Sequence, residues 1–474
     1  MLQIFRNLFS IRDLRRRILF TLMIIAIYRI GSHIPCPFVD VENLRDAFTA
    51  EGAMGGLFGA ADLFTGGNFS RMSVMALGIM PYISASIILQ LMMVVVPRLE
   101  KLAKEGDAGR KKITQYTRYG TVLLSAVQGF GLGLFIMQDP TVIMSFMRET
   151  PVLFLFTTVI AVTAGTTFLM WLGEKITEKG VGNGISMIIA LGIMAAYPQN
   201  VLATYTSVRL EAVTPFAVLA IAVLMVLAAI LIVLVQEGAR KIPIQHAKMV
   251  VGRKMQQAQT NYLPLKVNTA GVMPVIFAMA ILTLPTTIFG WVGATPGTGL
   301  GFFGELFSMT SRYNLYDLLG LERGAIFNLL KAANLYTLLY AVLVAFFCFF
   351  YTAIVFNPQD VADNLRRVGA FVPGYRPGKQ TADYIDKVMT RITLVGAVFL
   401  VSVSVMPQLV MAGFGIPFVL ADFAGGTGLI IVVAVTLDTM KQVESRMLMR
   451  HYDGFRSRRQ TGGGQRWAKK PTPR

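Results

Sequence analysis

Long apolar runs, separated by short polar and basic stretches, dominate this chain. A helix of about 20 residues spans the ~30 Å hydrocarbon core of a bilayer, since each residue adds about 1.5 Å. Ten runs come close to this length, at about residues 18–35, 72–96, 115–137, 151–172, 184–203, 214–236, 270–292, 334–356, 390–411 and 414–438. The pattern predicts an all-α polytopic membrane protein with ten spans, so that both termini lie on one side.

The second run has an unusual pattern between Ala76 and Val96, ALGIMPYISASIILQLMMVVV. We expect Pro81 to interrupt the helical hydrogen bonds, which a membrane helix tolerates where neighbouring helices satisfy the freed carbonyl. One helical face changes from apolar to polar along its length: Ile79, Ile83, Ser86 and Gln90. Such a face has two interpretations, polar contacts between neighbouring helices or the lining of a cavity that narrows.

Residues 54–72 (MGGLFGAADLFTGGNFSRM) form an apolar, glycine-rich segment that contains Asp62. The segment is about half as long as a membrane span. One interpretation is a re-entrant half-helix buried in protein, where irregular backbone is tolerated at membrane depth. The other interpretation is an amphipathic loop helix on the extracytoplasmic side.

Composition agrees with a membrane protein, because 54% of the 474 residues are hydrophobic and only 15% are charged, whereas soluble domains are about 25% charged. The net charge is +18, and its placement indicates the orientation. The termini and one set of alternate loops hold 36 of the 44 Lys and Arg residues, and the opposite loops hold 7. The positive-inside rule therefore places both termini in the cytoplasm. The basic N-terminus has no small-residue cleavage site, which predicts a retained first span.

Two long basic loops on the cytoplasmic side predict a platform on which a partner docks. Residues 237–269 alternate apolar and polar positions, which indicates a short protruding hairpin. Residues 357–391 are rich in turn-forming residues at their centre, with Arg376 at the expected tip. Ribosomal RNA or an acidic protein surface would match this charge.

The tail at 444–474 is basic and rich in Gly and Pro, so we expect disorder there and affinity for anionic lipid or RNA.

Motifs for catalysis and for ion coupling are missing from the sequence. There is no HExxH, GxSxG, phosphate loop or CxxC, and the three histidines and two cysteines are scattered. The glycines of KGVGNGIS (Lys179–Ser186) follow a membrane run rather than a strand, so they predict the tight turn before the fifth span. No run has an acidic residue near its centre, which weighs against an ion-coupled transporter.

Four long motifs resemble the SecY family of bacterial protein-conducting channels. They are ALGIMPYISASIILQL in the second run, FLMWLGEKITEKGVGNGIS (Phe168–Ser186), LPLKVNTAGVMP (Leu263–Pro274) and VFNPQDVADNLRRVGAFVPGYRPG before the ninth run. The resemblance extends from about Leu14 to Val443 and covers nearly the whole chain. It implies a passive channel and no enzymatic activity.

The architecture that the resemblance implies is two inverted five-helix halves, residues 1–205 and 206–443, around an hourglass pore. Residues 54–72 would be a plug that lies beneath the narrowest point on the outer side and moves out during transport. A lateral gate between the second and third spans and the seventh and eighth would open toward lipid. Unfolded secretory proteins would cross the cytoplasmic membrane through the pore, and transmembrane segments would leave sideways through the gate.

Matching the family motifs residue by residue implies four sets of functional positions. The pore ring consists of isoleucines that close around the translocating chain: Ile79, Ile83, Ile185, Ile189, Ile276 and Ile431. The plug contains Leu57, Phe58, Asp62, Leu63 and Phe64. The lateral gate contains Ser84, Gln90, Asn268, Leu284 and Ile288. The docking surface contains Arg240, Lys241, Lys248, Arg253, Lys254 and Arg376.

The resemblance also implies the partners, and it implies no cofactor. SecE and SecG would complete a membrane heterotrimer, and the SecA ATPase or the ribosome would dock on the basic loops and supply the energy. Signal sequences and nascent chains would be the substrates, in a membrane with anionic lipids.

Three other classes of protein stay open on the residues alone. A secondary transporter needs a polar site at the midplane, an intramembrane enzyme needs a catalytic dyad, and a scaffold needs neither a plug-like segment nor a polar seam.

Overall fold

The computed structural model describes residues 11–44, 62, 65–137, 140–211, 213–246, 250–251, 254–255, 260–291, 335–414, 421 and 425–462. This part of the chain is mostly helical. The first six helices are α1 (Arg12–Gly31), α2 (Met80–Val95), α3 (Pro97–Lys104), α4 (Asp107–Ile136), α5 (Pro151–Lys179) and α6 (Gly184–Arg209). The next six are α7 (Pro215–Glu237), α8 (Met273–Trp291), α9 (Leu335–Val355), α10 (Pro358–Arg367), α11 (Lys379–Phe414) and α12 (Gly426–Gly462).

Each of the ten predicted runs overlaps one helix, namely α1, α2, α4 to α9, α11 and α12. Among the described residues, seven helices are long and apolar enough to cross a membrane, and α2 with α3 gives an eighth if this bent pair is one span. Helices α1 and α8 occupy the positions of the first and seventh predicted runs. The prediction of a helical, multi-pass membrane protein is confirmed.

The second predicted run, residues 72–96, is helical only from Met80 to Val95. Residues 65–79 form mostly turns, and α2 begins at Met80 with Ile79 as its N-cap. Pro81 thus lies in the first helical turn, where its missing N–H would have had no partner in the helix. The expectation that Pro81 interrupts the helix is therefore wrong. The 16 residues of α2 reach only about 24 Å, and the turns that complete the membrane depth are largely buried in protein.

A bend of 101° separates α2 from α3. Val96 between them has an extended backbone, with φ −100° and ψ 108°, because a proline disfavours helical conformation in the residue before it. Helix α3 (PRLEKLAK) has no buried residue and carries basic side chains in its last turn. The chain therefore leaves the direction of α2 before α4 begins.

The helices pack around one large hydrophobic cluster that draws buried residues from α1, α2, α5 to α9, α11 and α12. Helix α8 packs against α2, α4 and α9, while α12 packs against α6, α7 and α11. Helices α4 and α5 approach closely at glycine, since a Cβ on Gly133 would lie 2.6 Å from Cδ1 of Leu155. Small residues at helix contacts are the usual means of close packing in membranes.

The two long basic loops join in one three-stranded sheet. Strand β1 (Ala239–His246) pairs antiparallel with β4 (Thr260–Lys266), which confirms the predicted hairpin. Strands β2 (Val250–Val251) and β3 (Lys254–Met255) pair between them. Strand β5 (Ala370–Phe371) comes from the second loop and pairs with the other edge of β1. The sheet shares a small hydrophobic core with α11: Ile242, Leu265, Val372, Ile385 and Met389.

The last two long helices depart most from their predicted bounds. Helix α11 begins at Lys379, within the predicted loop, and α12 begins at Gly426 rather than near residue 414. Helix α12 then continues to Gly462, so the prediction of disorder from residue 444 is wrong as far as residue 462. The sequence contains no proline between the last span and Pro471, and a helix that is already nucleated extends at little cost. Residues 463–474 lie outside the described residues.

Candidate functional site

A small, largely enclosed cavity lies within the large hydrophobic cluster. Its volume is about 10 Å³, which is at the lower limit for one water molecule. The side chains that line it are all apolar: Ile79, Met80, Ile83, Ile189, Ile276 and Met279. A space this small, surrounded by apolar side chains, stays dry. We call these six residues the constriction.

Three helices bring the four isoleucines of the constriction together. Ile79 caps α2, and the N–H of Ile83, one turn later, donates to the Ile79 carbonyl at 3.1 Å. Ile189 comes from α6 and Ile276 from α8. All four residues are only 5–6% exposed. Because β-branched side chains have few rotamers, they form a stiff closure.

The other two isoleucines of the predicted ring do not line this cavity. Ile431 of α12 is fully buried in the same hydrophobic cluster. Ile185 lies one turn before Ile189 and packs on Gly173, where an added Cβ would stand 3.1 Å from Cγ1 of Ile185. Ile185 lines a separate, open cavity of about 700 Å³. The structure therefore brings four of the six predicted ring residues together.

Two methionines of the constriction are absent from the predicted ring. Met80 follows Ile79 directly, and Met279 lies about one helical turn after Ile276 on α8. The sequence does contain a signal for Met279: it lies three residues after Ile276, and residues at this spacing share one face of a helix. Unbranched thioether side chains adapt to irregular surfaces, so they complement the stiff isoleucines.

Asp62 is the one predicted plug residue that the structure describes. The others, Leu57, Phe58, Leu63 and Phe64, lie outside the described residues. The segment that connects Asp62 to α2 begins with a compact loop. We call Asp62 together with residues 65–70 the plug root.

Hydrogen bonds to Asp62 hold the plug root together. Its carboxylate accepts from the backbone N–H of Phe69 at 3.0 Å and of Ser70 at 2.9 Å. Its carbonyl accepts from the Gly67 N–H at 3.0 Å and from the Thr65 hydroxyl at 3.1 Å. One aspartate thus satisfies both ends of the loop, which fixes the loop conformation.

The plug root is seated against α6 and α1. Gly66 has φ +73°, and a Cβ added there would lie 2.6 Å from the Gly192 carbonyl oxygen of α6. Only glycine combines this left-handed backbone with such a close approach. The Tyr28 hydroxyl of α1 donates to the Thr65 carbonyl at 3.5 Å, the long end of the hydrogen-bonding range.

The predicted gate residues lie on or beside helices that pack together in this structure. Helix α8 contacts both α2 and α4. Ser84 of α2 is buried, and the Gln90 amide donates to the Ser86 hydroxyl at 3.2 Å. Asn268 is buried in the turn before α8 and donates to the Gly271 carbonyl at 2.9 Å. Leu284 and Ile288 lie in α8, and their side chains are outside the described part.

The open cavity beside the constriction has a mixed polar and apolar wall. It is lined by Tyr82, Thr114, Arg118, Thr167, Met170, Trp171, Glu174, Lys175, Thr177, Glu178, Asn183 and Ile185. Arg118 of α4 donates twice to Glu174 of α5, at 2.8 Å from Nε and 2.7 Å from Nη2. Such bidentate pairs fix both side chains. Ile185 lines this open cavity, and Ile189, one turn later on α6, lines the constriction.

The predicted docking residues that the structure describes are exposed. Arg240 and Lys241 lie on β1 and Arg376 in the turn before α11. The Thr381 hydroxyl donates to the Arg376 carbonyl at 2.8 Å, and the Tyr375 ring stacks on Tyr384 at 4.1 Å. These contacts fix the backbone of the tip while the guanidinium stays free to reach a partner. Lys248 and Arg253 lie outside the described residues, as does the side chain of Lys254 on β3.

A bundle of apolar helices around a closed apolar constriction, with a folded basic platform at one end, defines a membrane channel. The family model described as SecY matches residues 73–440. The protein translocase subunit SecY of Escherichia coli K12 is 44% identical over 441 residues, covering 93% of each chain. That of Aquifex aeolicus is 40% identical over 452 residues, covering 95% of this chain and 98% of the relative. The chain belongs to the SecY family.

Solved structures show the same fold at low sequence identity. A protein-conducting channel superimposes with a TM-score of 0.60 at 18% identity, covering 91% of this chain and 92% of the other. A SecY structure that addresses how the plug domain stabilises the closed channel gives a TM-score of 0.58 at 17% identity, with the same coverage. Sec61 in the canine ribosome-channel complex gives 0.58 at 16% identity, again with 91% and 92% covered.

Proposed function

We propose that this chain is the channel-forming subunit of a protein translocase. It moves unfolded secretory proteins across the cytoplasmic membrane and releases transmembrane segments sideways into lipid. The observation that carries the proposal is the apolar constriction of about 10 Å³, enclosed by helices from both halves of the chain. Membership of the SecY family supports it.

The constriction acts as a seal. Stiff isoleucines surround the passing polypeptide, and Met80 and Met279 adapt to its changing side chains. At rest, the apolar lining excludes water and ions by dewetting. Ile431 is buried in the same hydrophobic cluster as the ring, and Ile185 meets the chain one turn earlier, at the open cavity.

The plug and the gate make the seal reversible. Residues 54–72 block the outer side at rest, and the plug root is their fixed end, because Gly66 is packed against the backbone of Gly192. Ser84, Gln90 and Asn268 place polar groups near the contact of α2 and α4 with α8. A signal-sequence helix that enters between these helices replaces their contacts, and the gate opens to lipid.

The partners supply membrane context and energy. We assign both termini and the sheet platform to the cytoplasm, as the distribution of Lys and Arg supports. The ATPase SecA or the ribosome docks on the platform, SecE and SecG complete the membrane complex, and anionic lipids surround it. No ATP-binding motif is needed in the chain, because the docked partner does the work.

Transport by purified components tests this function. Proteoliposomes would contain the chain with SecE and SecG, and would receive SecA, ATP and a secretory precursor. We expect protease-protected precursor that depends on its signal sequence. A chain that instead moves a small solute along an ion gradient, with no precursor protected, would overturn the proposal.

Arg376 gives a sharper prediction. Its replacement by glutamate reverses the charge at the exposed tip without disturbing the Thr381 contact, which uses the backbone carbonyl. We expect SecA-driven translocation to fall at least about tenfold, which corresponds to roughly 1.4 kcal/mol of lost binding. Arg367→Glu makes the same charge change at an exposed position of α10 and serves as the control. Equal losses in both variants would mean that net charge matters and the tip does not.

A further inference from the structure

The turn between α5 and α6 is packed more tightly than a surface loop requires. A Cβ on Gly180 would lie 2.5 Å from Oγ1 of Thr21, and Gly182 has φ +85° with Oγ1 of Thr439 3.0 Å from its added Cβ. A Cβ on Gly184 would overlap the Gly173 carbonyl oxygen. Three glycines are thus required by close approach of three other helices, α1, α5 and α12.

Side chains from the two ends of the chain bind this turn through its backbone. The Val181 N–H donates to Oγ1 of Thr21 at 3.2 Å, and the Gly182 N–H donates to Oε1 of Gln442 at 3.1 Å. Asn183 then caps α6 by accepting from the Ile185 N–H at 3.2 Å. The first two bonds use successive N–H groups just before α6, and the third uses the Ile185 N–H in its first turn, so together they fix where that helix begins.

Helix α12 also contacts the docking platform, through Lys441, the residue before Gln442. Lys441 forms an ion pair with Glu237 at 2.7 Å. Glu237 is the last residue of α7, and β1 of the hairpin begins at Ala239. Adjacent residues of α12 therefore contact the base of the hairpin on one side and the turn before α6 on the other. We call Glu237, Lys441, Gln442 and Gly182 the junction.

The junction lies close to the constriction along two rigid helices. Ile189 lies about 8 Å along α6 from its start at Gly184, given about 1.5 Å per residue. Ile431, which packs in the same hydrophobic cluster as the constriction without lining its cavity, lies about 16 Å along α12 from Gln442 by the same measure. A shift or rotation of this end of α12 thus reaches Ile189 of the constriction through the turn and α6, and the wall around the constriction through Ile431.

We propose that the junction couples docking on the hairpin to opening of the constriction, with Gln442 as a positioning residue. This inference rests on the proposed function and states how that function is regulated. A partner that moves the hairpin displaces Glu237, and Lys441 follows with the end of α12. Gln442 keeps its bond to the Gly182 N–H only if the turn moves with it, so α6 shifts as well. A mixed state, in which α12 has moved and α6 has not, loses this bond, and that loss is the coupling free energy.

The sizes of these interactions set the expected effects. One hydrogen bond changes an equilibrium by about two- to tenfold. The ion pair is exposed on both sides, with 40% and 46% of its side chains accessible, so we expect it to change the equilibrium by at most about fivefold. Gln442 is also exposed, but its bond satisfies a buried backbone N–H, and leaving a buried donor unpaired costs more than losing an exposed ion pair. We therefore expect the larger effect from Gln442.

The test compares Gln442→Leu with Gln442→Glu. Leucine removes the acceptor, whereas a glutamate oxygen can still accept from the Gly182 N–H. Channel conductance would be measured in the reconstituted complex with and without SecA bound to a non-hydrolysable ATP analogue, together with SecA affinity. We expect Gln442→Leu to reduce the docking-induced rise about two- to tenfold, with resting conductance and SecA affinity unchanged, and Gln442→Glu to restore it.

A charge-swap pair separates loss of coupling from misfolding, because the double variant restores the opposite charges of the ion pair. Lys441→Glu alone is expected to weaken the docking response, and Lys441→Glu with Glu237→Lys to restore it. An unchanged response in Gln442→Leu, or an equal change in resting conductance, would overturn the coupling role while the channel function stands. A wild-type complex that does not respond to SecA at all would overturn the proposed function, and the coupling with it.

Discussion

Serine in place of Ile83, Ile189 and Ile276 is expected to make the resting channel leak small ions. The three substitutions enlarge a cavity of about 10 Å³ and give its wall hydroxyl groups, so water can wet the constriction. We expect ion conductance to rise at least about tenfold, which needs a barrier lowered by only ~1.4 kcal/mol. Single-channel recording in planar bilayers measures it.

The matched control replaces three isoleucines on exposed helix faces, Ile88, Ile160 and Ile230, with serine. The control thus makes the same three isoleucine-to-serine changes at positions outside the constriction. Conductance in the control is expected to equal that of the wild type. A constriction variant that stays as tight as the control would refute the sealing role of the isoleucines.

Gly66→Val is expected to unseat the plug root. Valine disfavours the φ of +73°, and its Cβ would meet the Gly192 carbonyl oxygen at 2.6 Å. The strain is of order 1–3 kcal/mol, and it acts where the root is seated on Gly192, the arrangement that we propose is the closed state. We expect higher resting conductance and export of precursors with weakened signal sequences, both by roughly tenfold for ~1.4 kcal/mol.

Gly106→Val separates the contact from the backbone strain. Gly106 has φ +77°, and an added Cβ would meet nothing within 4 Å. This variant is expected to lose some stability and to keep a tight channel. If Gly106→Val and Gly66→Val raise conductance equally, the contact with Gly192 has no part in closure.

The spans could be read from the sequence because burial in lipid demands long apolar helices with satisfied backbones. The hairpin was equally accessible, since alternation along residues 237–269 matches the register of β1 with β4. In both cases the information is local. Each run or strand carries its own pattern, and a neighbour is not needed to recognise it.

The role of Pro81 could not be read in this way. A proline within an apolar run fits either a kinked span or a helix start, and the buried turns at residues 65–79 decide for the second. The helical tail to Gly462 is a similar case, because composition favours disorder while a preceding helix favours continuation.

Contacts between distant parts of the chain were the least accessible. Strand β5 joins β1 through two residue pairs, and no alternation is visible in so short a strand. The bond from Gly182 to Gln442 joins residues 260 positions apart. The constriction shows the same limit, since Ile185 and Ile189 share a helical face but only Ile189 reaches the cavity.

Cross-linking from inside the constriction tests the central claim most directly. A photo-reactive residue would replace Ile83 or Ile276 in the constriction, or the exposed Ile160 as a control. A secretory precursor would be trapped midway by a folded domain at its C-terminus, with SecA and ATP present. We expect adducts to the precursor from Ile83 and Ile276, and none from Ile160. Trapped precursor with no adducts from either constriction position would mean that polypeptides cross elsewhere, and would contradict the account.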